Sequence, residues 1–259
     1  MNLHILPDSK FSEAFYLNMK EAGLLKNNVF VVRTNQKNLK YVKQAIPFAP
    51  LYSADFSNYV GDTATYKRVF VHQLAPLMFR WIAKHSFREL HWMSWGTDLY
   101  NLPFIKQNFF EPETLAFIRK SKFDLQHFLY VTKVYVTNML FKDRAYSKVN
   151  SLLTWMRSEV DFARKALPTL KARHDYFFYE NQVPYERIDH IVRGDTKAAN
   201  TTLKLIVGNS GTPSGNHLDA IRLLQNLSVK ADLYIPVSYG EADYISFLKS
   251  NASFYKNGK

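Results

Sequence analysis

No cysteine occurs in the 259 residues. Disulfides, thiolate metal sites and cysteine nucleophiles are therefore excluded, and a reducing compartment is compatible with the chain. Glycine and proline are sparse, at 9 and 10 residues, and no tract is of low complexity, so most of the chain is expected to fold. No run supplies the roughly 18 apolar residues that a membrane span needs. The start, Met1-Asn2-Leu3-His4-Ile5-Leu6-Pro7-Asp8, lacks the basic leader and apolar segment of a secretory signal. The expected location is the cytoplasm. No Asp-x-Asp pair and no His-x-Glu-x-x-His-like spacing is present, so neither a metal nor a cofactor is expected.

Acid is the minority charge, with 22 Asp and Glu against 34 Lys and Arg, a net +12. Such a chain is drawn to polyanions: nucleic acid, anionic lipid or phosphorylated substrates. Aromatic residues are abundant, at 20 Phe, 16 Tyr and 4 Trp, so some rings are expected on a surface. Between Asn101 and Lys171 there are 12 Lys and Arg against 6 Asp and Glu, with Phe, Tyr and Trp interleaved. The pattern there is mainly helical. Bases among rings suit an anionic membrane surface, or simply a solvated helical face over an aromatic core. No recognised nucleic-acid module accompanies them, and no nucleic-acid partner is expected.

Short β-rich runs alternate with helical stretches, which predicts an α/β fold. Candidate strands are Asn2–Leu6, Val29–Thr34, Lys67–His72, Glu89–Ser94, Asp175–Tyr179, Ile188–Arg193, Lys204–Gly208 and Leu233–Val237. Several are continuous apolar runs, as parallel strands covered on both faces require. The polar stretch 195–202 reads as a linker. Residues 1–199 are then a first domain carrying the basic aromatic segment 101–171, and 200–259 begin a second domain that the chain ends too soon to complete.

Two constellations carry chemistry. Gly208-Asn209-Ser210-Gly211-Thr212-Pro213-Ser214-Gly215-Asn216-His217 lies between an apolar strand and an amphipathic helix. Glycines let the backbone approach a ligand closely, and a helix N-terminus presents unpaired amides and a positive dipole end. The turn is thus a candidate diphosphate seat. Gly208, Asn209, Ser210, Gly211, Thr212, Ser214, Asn216 and His217 are its candidate residues. The bland alternative is a tight turn with Ser214 capping the helix. The second constellation is Trp92-Met93-Ser94-Trp95-Gly96-Thr97-Asp98-Leu99-Tyr100, where a strand ends in a turn. Ligands in open α/β sheets bind beyond the carboxyl ends of strands. Rings there can stack on a sugar while Asp98 takes a hydroxyl proton. The alternative makes Asp98 a helix cap and the Trp residues core. Most histidines read as structural.

Taken together, Trp95-Gly96-Thr97-Asp98-Leu99-Tyr100 followed by Leu205-Ile206-Val207-Gly208-Asn209-Ser210-Gly211 resembles the TDP-N-acetylfucosamine:lipid II N-acetylfucosaminyltransferase family, the 4-alpha-L-fucosyltransferase group of enterobacterial common antigen synthesis. Asn216-His217, Ile235-Pro236-Val237-Ser238-Tyr239-Gly240 and His72 add to it. The family carries a histidine where this chain has Met93. The resemblance implies a GT-B architecture, two Rossmann-like domains facing a cleft, with the second apparently incomplete here. It implies an enzyme that moves an amino-deoxy sugar from a nucleotide-diphospho-sugar, TDP-linked, to an undecaprenyl-diphosphate-linked saccharide. Such an enzyme is peripheral on the cytoplasmic face of the bacterial inner membrane, and is inactive if the chain is a fragment. On this reading Asp98 is catalytic, and Trp92, Trp95, Gly96, Tyr100, His72 and Tyr239 shape the sugar or acceptor site. The alternatives are a transferase for another nucleotide sugar with a protein or polysaccharide acceptor, and a basic binding module without catalysis.

Overall fold

The structure, a computed structural model, describes residues 1–100, 109–121, 139–177, 203–208, 210–226, 231–237 and 239–250, and isolated helical positions at 132 and 136. The chain divides into two compact units, Met1–Leu102 with Gln126–Pro184, and Pro103–Leu125 with Tyr185–Lys259. The segment 103–125, assigned from the sequence to the first domain, thus belongs with the second unit.

The first unit is built on a seven-stranded parallel sheet. Its strands are β1 (Asn2–Pro7), β2 (Asn28–Arg33), β3 (Phe48–Ala49), β4 (Arg68–His72), β5 (Leu90–Met93), β6 (Ser151–Thr154) and β7 (Arg173–Tyr176), in the order β3-β2-β1-β4-β5-β6-β7. Chain order runs outward from β1 to β3 on one side and from β4 to β7 on the other. This is the arrangement of a Rossmann-like sheet, with its topological switch between β1 and β4. The helices among its described residues are α1 (Lys10–Glu21), α2 (Ala54–Val60), α3 (Phe79–Lys84), α4 (Thr97–Tyr100), α6 (Lys142–Tyr146) and α7 (Arg157–Ala166); α5 (Pro112–Ser121) lies in the other unit.

The apolar strand runs are buried as their continuity predicts. Leu3, Ile5, Val31, Val69, Val71, Leu90 and Trp92 are without measurable exposure. Along the rungs of the ladder the rings of Phe30, His4, Phe70 and His91 stack in a row across four strands. Their successive centroids are 5.0, 4.6 and 4.8 Å apart, and the same residues are register partners. Helix starts follow side-chain chemistry: Ser9 accepts from the amide of Ser12 and Ser53 from that of Phe56, each satisfying an amide that has no partner within the helix. Lys148 closes the other end of α3, donating to the carbonyls of Ile82, Ala83 and His85 at 3.1, 2.9 and 2.6 Å.

Two sequence expectations change here. Residues 101–171 are not helical throughout, because Ser151-Leu152-Leu153-Thr154 forms β6, fully buried between β5 and β7. Two leucines between Ser151 and Thr154 are too short an apolar run to separate strand from helix by periodicity. The expected strand Asp175–Tyr179 begins earlier, at Arg173. The expected strand Ile188–Arg193 lies outside the described residues.

In the second unit the strands β8 (Leu203–Ile206) and β9 (Ala231–Tyr234) form a parallel pair. Around them are α5 (Pro112–Ser121), α8 (His217–Gln225) and α9 (Ala242–Ser250). The carboxylate of Asp219 in α8 accepts from the amides of Glu113 and Thr114 at 2.8 and 2.9 Å, and from the Thr114 hydroxyl at 2.6 Å. It therefore caps α5, and Arg222 pairs with Glu113 beside it. Phe117 of α5 packs on Tyr244 and Phe247 of α9. Among the described residues no helix is long and apolar enough to cross a membrane.

Candidate functional site

The segment after β5 occupies the carboxyl edge of the sheet, and Asp98 organises it. One carboxylate oxygen accepts from the Trp92 indole at 2.5 Å and from the Leu74 amide at 2.8 Å. The other accepts from the Trp95 amide at 2.9 Å and the Ser94 hydroxyl at 3.3 Å. Asp98 is only 4% exposed. Burial pushes its pKa up, opposed by the hydrogen bonds from Trp92, Trp95 and Leu74. The hydrogen-bonded positions of both oxygens are taken by protein donors, so the carboxylate fastens the ends of β4 and β5 together. None of these four donors lies in α4, so Asp98 ties strand ends together rather than capping that helix, and its oxygens are engaged where a base must be free to take a proton.

The neighbours divide in the same way. Trp92 and His72 have no exposure and belong to the core. His72 Nε2 lies 3.1 Å from His4 Nδ1, and its ring meets Phe15 edge-on at 4.6 Å. Trp95 is half-buried, with its ring edge-to-face with Phe11 at 5.5 Å. Gly96 turns with φ of 77°, a left-handed conformation that glycine adopts without strain. Tyr100 is half-buried and donates to Glu159 Oε1 at 2.8 Å. The second oxygen of Glu159 accepts from the Thr154 hydroxyl. Burial and the Glu159 charge push the Tyr100 pKa well up, so it remains a donor.

Glu159 was not singled out from the sequence. It lies in the first turn of α7, past the end of β6, a stretch whose sequence pattern reads as mainly helical. Arg33 and Gln73 were missed as well. Arg33 ends β2 and donates from Nη2 to the Gln73 main-chain carbonyl at 2.8 Å and to its side-chain oxygen at 3.4 Å. Gln73 has φ of 59°, uncommon for a residue with a side chain. Its side-chain amide donates to Thr97 at 3.2 Å. The available signal was a single arginine closing an otherwise apolar strand.

The glycine-bearing turn of the second unit follows β8 and leads into α8. His217 is fully buried, with Nδ1 3.3 Å from the Tyr244 hydroxyl. Its Nε2 is buried without a hydrogen-bond partner, and burial lowers its pKa, so the ring is neutral at pH 7. The ring is pressed against the turn, because a Cβ on Gly208 would meet Nε2 at 2.5 Å and one on Gly215 would meet Cε1 at 2.4 Å. Ser210, Thr212 and Ser214 form a row of hydroxyls, 3.0 and 2.8 Å apart. The amides of Gly211, Gly215 and Asn216 are committed to the carbonyls of Tyr239, Thr212 and Pro213.

Asn216 is also committed through its side chain, accepting from the Glu111 amide and donating to the Phe109 carbonyl. Its role is to hold the approach to α5, so it is not an open donor for a diphosphate. Ser214 makes no cap bond to α8, which begins at His217. Asn209 lies outside the described residues. Tyr239 is 40% exposed and contributes its carbonyl to Gly211. Among the described residues no three His, Asp or Glu side chains gather as a metal site would require. Compared with known proteins, the chain matches no family model and no curated protein sequence.

Proposed function

We propose that the chain is a glycosyltransferase of the GT-B kind. It moves an amino-deoxy sugar from a nucleotide-diphospho-sugar to an undecaprenyl-diphosphate-linked saccharide. The observation that carries the reading is the setting of the two motifs. Each follows the carboxyl end of a parallel strand and leads into a helix, the first after β5 and the second between β8 and α8. That is where α/β proteins keep their ligands. The choice of TDP and of the lipid-linked acceptor comes from the sequence resemblance alone.

In this proposal the row Ser210, Thr212 and Ser214, with His217 behind it, receives the donor diphosphate at the start of α8. Negative charge grows on that diphosphate as the glycosidic bond breaks. Donors already in position then stabilise the transition state more than the ground state. Asp98 is an organiser of the acceptor edge. Glu159, half-buried and holding one donor on each oxygen, Tyr100 and Thr154, where Asp98 holds two on each, is the carboxylate with room to accept the proton of the attacking hydroxyl. The net charge of +12 favours the anionic cytoplasmic face of a bacterial inner membrane, where such an acceptor resides.

The test is incubation with TDP-N-acetylfucosamine and an undecaprenyl-diphosphate-linked disaccharide, with lipid-bound product followed by mass spectrometry. Transfer is expected, as is stabilisation by TDP: a ligand at about 100 times its Kd adds about 2.7 kcal/mol. No transfer and no thermal shift with any nucleotide diphosphate would overturn the reading. Salt-sensitive binding to anionic vesicles without either effect would favour a non-catalytic binding module.

A further inference from the structure

We propose that Arg33 is an anion-binding residue at the switch point of the seven-stranded sheet, receiving a phosphate or carboxylate group of a ligand. The proposal does not depend on glycosyl transfer. It follows from where the guanidinium is held.

Strand β1 lies between β2 and β4, and Pro7 pairs with Arg33 on the last rung of β1 and β2. Arg33 nevertheless bonds to Gln73, just past the end of β4. Its side chain therefore arches over the carboxyl end of the central strand, across the crevice where connections leave the sheet in opposite directions. Such crevices are the ligand sites of open α/β sheets. Gln73 is shaped to hold it there. Its φ of 59° turns the chain, its amide bonds to Met93 at 3.0 Å, and its side chain is tethered to Thr97.

The guanidinium has no carboxylate partner among the described residues. Its Nε is buried without a hydrogen bond. Burial holds its pKa down to about 10, only partly offset by the field of Asp98, whose oxygens are already engaged by Leu74, Trp92, Ser94 and Trp95. A buried cation with an unpaired donor is unfavourable by itself. An oxyanion at the Nη edge of the guanidinium lessens the charge penalty, because a carboxylate or phosphate accepts parallel bonds there while Nε itself stays enclosed. Arg33 as a residue is only half-buried, so the crevice mouth reaches it. The adjoining start of α1, a helix of 12 residues capped by Ser9, adds a positive dipole end.

The experiment is an NMR titration of the Arg33 Nε–H resonance in the full chain, assigned by its disappearance in Arg33→Lys. The probes are inorganic phosphate, pyrophosphate and malonate, each against chloride at equal ionic strength. A saturable shift with phosphate or pyrophosphate identifies a phosphate ligand, and one with malonate alone identifies a carboxylate. Followed at the Gln73 backbone amide, which every variant keeps, Arg33→Lys is expected to weaken binding about tenfold, since a point charge replaces a fork; Lys20→Gln, at the far end of α1, is expected to leave it unchanged. Shifts that chloride reproduces, or no shift with any probe, would overturn the proposal. Sugar transfer is not read in this experiment, so its outcome is separable from that of the glycosyltransferase assay.

Discussion

His72 donates from Nε2 to Nδ1 of His4 across 3.1 Å, inside the sheet core. The direction follows from the rest of the chain of bonds. Asn28 gives its side-chain N–H to the Leu24 carbonyl, so its oxygen faces His4 Nε2 at 3.1 Å. His4 must donate there and accept at Nδ1. Both rings are neutral: burial holds His4 down to about 4 and His72 well below the usual histidine range.

Acid should therefore loosen the first unit before its carboxylates titrate. The unfolded chain takes up protons on these histidines near pH 6.5, while the folded chain refuses them until about pH 4 in the case of His4. Stability is then full above about pH 6.5 and falls as pH drops toward 4, by ~3 kcal/mol at most for His4. Urea melts between pH 8 and 4 check this. His4→Gln should flatten the slope in that window, and an unchanged slope would refute the assignment.

Asp98→Ala should cost ~3 kcal/mol or more, because it strands the Leu74 and Trp95 amides and the Trp92 indole in the interior. Denaturant midpoints measure it. A variant as stable as the parent but unable to transfer sugar would restore Asp98 to a catalytic role. Glu159→Gln should do the opposite: lower turnover at least a hundredfold while stability changes little.

Tyr146 has a buried hydroxyl with no hydrogen-bond partner and a ring without measurable exposure. Tyr146→Phe removes the unmet polar group and keeps the packing against Phe79 and Trp92. The melt should become more resistant by about 1 kcal/mol; a loss of stability would mean that the hydroxyl has a partner in solution.

Gly240→Ala should open the second unit. A Cβ there would lie 2.2 Å from the Gly211 carbonyl oxygen, at φ of 140°. Hydrogen exchange should show faster exchange in α9 and in β8, with the first unit unaffected. Unchanged protection would show that the two turns have room to separate.

The sheet of the first unit was largely readable because its inner strands are unbroken apolar runs. Val29-Phe30-Val31-Val32 and the end of the Trp92 strand are examples. β3 and β6 were not readable, the one being two residues long and the other only two leucines between hydroxyl residues; their pairing, rather than local preference, makes them strands. The site was legible as a location and less so as chemistry. Trp95-Gly96-Thr97-Asp98 could be placed beyond a strand end. That Asp98 faces inward, and that Glu159 and Arg33 face the same edge, depends on contacts between residues 59 and 40 positions apart. No spacing rule reaches that far.

The bonds from Asp219 to Glu113 and Thr114 link segments more than a hundred residues apart. A chimera with a single junction near residue 200 would take the acceptor of those bonds from one parent and the donors from the other. Exchange of the second unit between proteins therefore requires a double splice that carries residues 103–125 along with the later part, or a recipient with matching partners at those positions.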